Sequence, residues 1–212
     1  MLLRFSSKTL ILLAFFIFSK NTLQAQTWHF GIDLGIEKPY IIETIEEQKE
    51  LKIGFAPAFL ASLKYTPEQS KWGIKANFQY SETRAKGITK ITQTPINGFI
   101  SNSTFSLMAE KNRLLSKFPK WHFINAFGFG WSKENYVENA EKQARQNNYL
   151  NFIAQIGFEY AINEKVNFKI SNQLIVNDMV KGIHYLSGNW QGQSAGEDVA
   201  LNLLFGLNFK LK

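Results

Sequence analysis

The chain has 212 residues, of which 45% are hydrophobic, 15% aromatic and 19% charged, and it contains no cysteine. That length suits a single domain, and the aromatic content argues against disorder. The missing cysteines exclude a disulfide scaffold, a thiolate metal site, a cysteine nucleophile and a lipid-modified N-terminal cysteine. The net charge is +7, but Arg4, Lys8 and Lys20 fall in a segment expected to be removed. The 24 Lys and Arg less these three leave 21 bases against 17 acids, with no basic cluster, so nucleic acid is not an expected partner.

Residues 1–25 read as a secretory signal peptide. A basic stretch, Met1 to Lys8, precedes the apolar run Leu10 to Phe18 and a polar stretch ending Leu23-Gln24-Ala25, which predicts cleavage before Gln26. The run is shorter than the ~20 residues that a membrane helix needs. Residues 26–212 are then the mature domain.

From Trp28 onward apolar residues recur at every second position, the period of a strand. In chain order the greasy faces run Trp28 to Ile36, Ile53 to Tyr65, Trp72 to Tyr80, Ser101 to Ala109, Trp121 to Trp131, Leu150 to Ile162, Val166 to Val176 and Val199 to Leu211. No position on them is charged. The alternate positions carry Asp33, Lys64, Lys75, Glu110, Glu159, Lys169 and Lys210, and many of the glycines. Pro57 cannot donate to a strand ladder and predicts a bulge or gap in the second segment. Asn112 to Lys120 is long for a turn, Ile88 to Ile100 alternates faintly and is a candidate extension of its hairpin above the membrane, and Asn139 to Asn147 suits a short helix.

The glycines decide which face points inward. The interior of an eight-stranded barrel has room only for ordinary side chains. Rows of Trp, Tyr and Phe would overfill it, whereas glycine-bearing polar rows fit. The apolar face is therefore predicted to meet lipid, where every backbone group must be paired and the strands must close on themselves. The expected fold is an all-β, eight-stranded antiparallel up-and-down transmembrane β-barrel. Gaps of about 14 to 22 residues after the odd segments alternate with shorter ones after the even segments, as external loops alternate with periplasmic turns. Trp28, Tyr65, Trp72, Trp121, Tyr160 and Phe209 fall at strand ends on one side, and Tyr80 and Trp131 near the other. They are the expected interface aromatics.

A leader ending Ala25-Gln26, the opening strand Trp28-His29-Phe30-Gly31-Ile32-Asp33-Leu34-Gly35 and the eight-strand count resemble the small outer-membrane barrel proteins of Bacteroidota, OmpX-like or OmpA-barrel-like members of the porin family. The ending Gly206-x-x-Phe209-x-Leu211 is similar to the C-terminal signal read by the barrel-assembly machinery. It departs from that pattern at Leu204, where a polar residue is usual, and at the trailing Lys212. The resemblance implies outer-membrane location, periplasmic termini, extracellular loops, and membrane lipid and the assembly machinery as partners.

The expected functional residues are few. Asp33, Lys64, Lys75, Glu110, Glu159, Lys169 and Lys210 should point into the lumen and pair there, because a charge taken out of water needs a partner. Glu159 and Lys169 flank a tight turn and should be neighbours. His29 and His122 lack metal-ligand spacing and read as lumenal polar residues, so no metal or other cofactor is expected. His184 and Ser187, with Asp178 upstream, have residue types suited to a hydrolase, but Leu186-Ser187-Gly188-Asn189 also reads as an ordinary turn. The expected role is non-enzymatic, in membrane integrity or in binding a surface ligand through the loops. A subunit of a secretion or surface-assembly machine, resembling the type IX barrel in architecture only, and a lipid A or phospholipid hydrolase are the alternatives.

Overall fold

Successive side chains of an extended strand point to opposite faces, so a two-residue period gives each segment one greasy and one polar side. The computed structural model describes residues 27–40, 49–68, 70–89, 92–138, 145–177 and 199–211. The predicted leader, the suggested helix across 139–144, and Asp178, His184 and Ser187 lie outside them. The described strands are β1 (Thr27–Tyr40), β2 (Lys49–Ile53), β3 (Ala56–Thr66), β4 (Trp72–Thr89), β5 (Pro95–Leu115), β6 (Phe118–Glu138), β7 (Arg145–Ala161), β8 (Val166–Asn177) and β9 (Val199–Lys210).

β2 and β3 both pair with β4 and form one stave, so nine strands make eight staves. Each is antiparallel to its neighbours, and β9 returns to pair with β1 from His29↔Lys210 to Tyr40↔Val199. The sheet is a closed eight-stranded up-and-down barrel. The paired residues Gln79, Leu60, Asp33, Gly206, Lys169, Glu159, His122 and Leu114 lead from β4 once round to β5. On its other side Gln79 pairs with Thr104, ten residues from Leu114 on the same strand. That stagger tilts the staves by roughly 45° to the barrel axis.

The break between β2 and β3 is the bulge that Pro57 predicts. Ile53 pairs with Ala85 and Ala58 with Ser81, so five steps on one side span four on the other. One extra residue reverses the parity. Ile53, expected on the outer face, instead packs inward against Ala85 and Ile100.

Four strands extend further than their apolar segments, and for β4 and β5 the faint alternation of Ile88 to Ile100 marks the extension in the sequence. β4 and β5 stay paired to Ile88↔Pro95, and β6 and β7 to Tyr136↔Arg145. Polar stretches expected as loops are thus strand, because each lends its ladder to the next. At Arg145 to Asn147 the suggested helix is corrected to strand. At the other end β5 runs to Leu115 and β6 resumes at Phe118, so the expected long turn is a short one in a projecting hairpin.

The sidedness is opposite to that of a water-soluble barrel. Leu34 is 61% exposed and Phe105 63%, and the same outer surface carries Ile74, Leu107, Phe129, Ile156 and Phe205. Lys169, Glu159, Gln155 and Asn151 are buried inside. The lumen also holds apolar residues that the sequence reading did not separate from its polar face: Met108, Ala126, Ile153, Ile175 and Ala200 in one cluster, and Ala58, Leu60 and Leu204 in another.

Inward glycines let the staves lie close. A Cβ on Gly128 would run into the Leu107 carbonyl oxygen and sit 2.6 Å from Met108 Cα, both backbone atoms that cannot turn aside. A Cβ on Gly54 would meet only Thr83 Oγ1, at 3.6 Å. Gly128→Val should therefore destabilise the folded barrel by about 3 kcal/mol or more, while Gly54→Ala leaves the urea midpoint of detergent-folded protein nearly unchanged. Equal midpoints for the two variants would refute this account of the barrel wall.

Candidate functional site: a paired-charge plug in the lumen

The densest chemistry lies inside the half of the barrel nearer the termini. Lys64 and Ser62 on β3, Lys75 and Asn77 on β4, Glu110 on β5, Glu159 and Gln155 on β7, Lys169 and Ser171 on β8 and Asp33 on β1 are all buried. Each reaches the lumen because strand parity puts it there. Together the charged members are three lysines and three carboxylates, so the set is neutral as a whole.

The pairing is specific. Glu110 accepts hydrogen bonds from Lys64 Nζ at Oε1 (2.7 Å) and from Lys75 Nζ at Oε2 (2.6 Å). Lys75 also donates to the Gln155 side-chain oxygen, and Gln155 Nε2 donates to Ser171 Oγ at 2.9 Å. Lys169 pairs with Asp33 over Gly206 of β9, which is the register partner of both. Glu159 Oε1 accepts from Asn208 Nδ2 at 2.5 Å and Oε2 from Asn112 Nδ2 at 3.5 Å, while Asn112 Oδ1 contacts His122 Nδ1 at 2.9 Å. Moving any of these ions out of water costs several kcal/mol, which only close opposite charge and filled lone pairs offset.

Six of the seven charges predicted for the lumen are buried in it. Lys210 is the correction: it is exposed, because β9 ends there and its side chain stands at the open mouth in reach of water. Glu159 and Lys169 are neighbours, as expected, but they do not form the ion pair: the lysine pairs with Asp33. A β-ladder fixes Cα positions, and a long side chain in a narrow lumen chooses among all the staves that face it.

Above the charged layer the lumen changes character. Thr104 and Ser132 hydroxyls lie 2.5 Å apart, Asn151 Nδ2 donates to Ser132 Oγ at 2.6 Å and to Asn177 Oδ1 at 3.0 Å, and Asn202 Nδ2 donates to Gln173 Oε1 at 3.2 Å. Glu37 is buried near the far mouth, where Gln79 Nε2 and Ser81 Oγ donate to its two oxygens at 2.8 and 2.6 Å. It lines a cleft with Thr83, Asn102 and Glu134, and Glu134 accepts from Tyr149 OH at 2.7 Å. Sequence reasoning missed Glu37 because the apolar run stopped at Ile36. The parity of Asp33 and Gly35, carried one step further, finds it.

Outside, the expected aromatics mark the limits of the apolar surface. Trp28 stacks on its paired Tyr65 at 5.0 Å between ring centroids, and Trp121 on its paired Tyr160 at 5.2 Å. Trp72 lies under the Lys111 ammonium at 5.1 Å. These rings, with Phe209, stand on six of the eight staves at the end where β1 begins and β9 ends. Tyr80 and Trp131 are exposed toward the other end.

His29 and His122 stand on β1 and β6, and among the described residues no group of His, Asp and Glu converges in a metal-binding arrangement. The chemistry the lumen offers is charge neutralisation and steric filling.

Compared by sequence, the chain matches no family model and no curated protein. Its fold does match solved barrels. Neisserial surface protein A superposes with a TM-score of 0.53 at 7% identity, covering 89% of this chain and 100% of that one. Outer membrane protein OprG of Pseudomonas aeruginosa gives 0.54 at 8% identity, covering 88% and 95%. A major outer membrane protein of Thermus thermophilus gives 0.52 at 11%, covering 87% and 99%. The chain thus has the fold of the small eight-stranded outer-membrane barrels. At these identities the likeness is one of fold alone.

The plug predicts an asymmetric response to substitution. Glu110→Gln strands two buried lysines and should cost about 3–5 kcal/mol in urea unfolding. Replacing the whole group (Lys64→Met, Lys75→Met and Glu110→Met together) should cost clearly less than that single change. A triple variant weaker than Glu110→Gln would show that the charges are not held as a unit.

Proposed function

We propose that this protein is a non-enzymatic outer-membrane barrel whose lumen is closed by its own side chains and whose activity resides in the surface it presents beyond the membrane. The observation that carries the reading is the inverted sidedness: a belt of exposed Leu, Ile, Phe and Trp between two sets of aromatics, wrapped around buried Lys, Glu, Asn and Gln. Such a surface is satisfied by hydrocarbon, and the apolar band of outer-membrane barrels is about 25 Å tall. In this reading the end with the termini faces the periplasm.

The opposite end would face outside, and there the wall continues past the belt. The β4–β5 and β6–β7 pairs project beyond Tyr80 and Trp131, carrying Arg84, Lys86, Phe99 and Lys133 outward, with the Arg84 guanidinium 5.8 Å above the Phe99 ring. Rigid hairpins hold surface side chains in place better than free loops do, which suits membrane integrity or recognition of a surface ligand. Membrane lipid and, during biogenesis, the barrel-assembly machinery are the partners this role needs.

Three measurements test the reading. Detergent-folded protein should migrate faster on a gel before boiling than after, and planar-bilayer recordings should show no large, steady conductance. A protein that stays soluble without detergent and does not change mobility on heating sinks the membrane reading. Large steady currents sink the plug while leaving the barrel standing. Ser187→Ala should leave lipid substrates as it finds them, since the role needs no nucleophile; lipid hydrolysis lost in that variant would overturn the non-enzymatic assignment.

A further inference from the structure

The aromatics at the termini end leave out β5 and β8. On β8 Phe168 stands outward beside its register partner Tyr160 and fills the place. On β5 the outward positions at that level are Lys111, half-buried and paired with Trp72, and Arg113, exposed and paired with Phe123. Trp121, on the same face of β6 as Phe123, bounds the opening on its other side. The aromatic girdle is thus interrupted by two cations that stand between two tryptophans.

Their setting holds them in place. Trp72 reaches across β5, past Ala109, to meet Phe127 edge-on with ring centroids 6.2 Å apart, and Lys111 Nζ lies 5.1 Å above the Trp72 ring. An ammonium over an indole face is attracted by the ring's quadrupole, while its outer side stays open to a further partner. Neither cation meets a carboxylate among the described residues. Glu110, the residue before Lys111, points inward and is paired with Lys64 and Lys75. Lys71, exposed just before β4, belongs to the same spot, because its carbonyl oxygen accepts from the backbone N–H of Asn112 at 2.9 Å, between the two cations in the chain. Lys120 is exposed beside Trp121, and the exposed carboxylates at this end, among the described residues, are Glu68 and Glu164.

Resting on the membrane reading above, we propose that Lys111 and Arg113 form a site for the headgroup of an anionic phospholipid in the leaflet at the termini end, with Trp72 and Trp121 as its walls. The depth is set by the girdle, since amphipathic rings sit at headgroup level and the two cations share that level with them. The Arg113 guanidinium presents a planar fork of N–H donors that matches phosphate oxygens, and Lys111, held on Trp72, adds a point charge beside it. A headgroup of net negative charge leaves both cations compensated. A zwitterionic one brings its own ammonium into a space that already holds two positive charges and no acid, so the site discriminates between them by charge.

The full mature chain, folded in detergent, is titrated with dioleoyl phosphatidylglycerol or dioleoyl phosphatidylcholine, and bound lipid is counted by native mass spectrometry. The anionic lipid should bind about tenfold more tightly. Lys111→Gln combined with Arg113→Gln should bring it down to the level of the zwitterionic lipid. The exchange Lys111→Arg with Arg113→Lys, which keeps both charges, should keep most of the preference. Lys165→Gln with Lys210→Gln removes two neighbouring lysines at the same end, Lys210 standing on β9, the stave opposite β5, and should leave the preference as it was. Equal binding of the two lipids by the unsubstituted chain overturns the site. So does a preference that survives loss of both β5 cations, or one that falls as far without Lys165 and Lys210. Displacement of the bound lipid by excess inorganic phosphate would show a site for the free anion and overturn the lipid as occupant. Every variant should keep the heat-modifiable band; an unsubstituted chain without it sinks the membrane reading itself, whatever the lipid counts.

Discussion

Closure of the hydrogen-bond ladder between β1 and β9 is the constraint on which the rest of this structure depends. A sheet whose outer face is Leu, Ile, Phe and Trp cannot leave a strand edge unpaired in hydrocarbon, where an unmade backbone hydrogen bond costs several kcal/mol. Closing the sheet satisfies every stave at once. It also fixes the size of the interior, because eight staves enclose a lumen that side chains fill. The inward glycines, the tilt and the two layers of lumenal polar groups are answers to that one restriction.

The plug follows from the narrowness. Three lysines and three carboxylates drawn from six different strands share a space too small for bulk water, so each must find a counter-charge or hydrogen-bond donors within reach of a side chain, and Glu159 is held by the amides of Asn208 and Asn112. Glu110 between Lys64 and Lys75, and Asp33 with Lys169, do this across staves far apart in sequence. The lumen is not uniformly polar, however. Met108, Ile153, Ile175, Leu60 and Leu204 pack between the charged layer and the amide and hydroxyl groups above it. This lets the barrel separate a neutral, tightly paired half from a far mouth where Glu37 is held by uncharged donors. A buried network of this kind gives a defined interior more than it gives net stability.

The outer surface serves the membrane in two ways. Rings at the termini end, such as the Trp28–Tyr65 and Trp121–Tyr160 stacks, sit where amphipathic aromatics are favoured. Beyond the opposite edge of the belt, β4 to β7 carry on as paired strands.

The fold was legible because period two is a local property. Each residue's side of the sheet follows from counting along its own strand, so Asp33, Lys64, Lys75, Glu110, Glu159 and Lys169 were placed inside, and Trp28, Trp72 and Trp121 outside, without knowing any contact. The same counting failed where the chain stops being a regular strand: past the bulge at Pro57, which turned Ile53 inward, and at Lys210, where the strand ends at the mouth. It extended the β4–β5 hairpin only through the faint alternation of Ile88 to Ile100 and did not extend β6 and β7 through their polar segments, since those strands are held by their neighbours' ladders and not by their own pattern. By itself the sequence determined which residues face lipid and which face the lumen. Only the tertiary structure decided which lysine meets which carboxylate, because register and tilt, set by closure of all eight staves together, bring residues more than a hundred positions apart into contact.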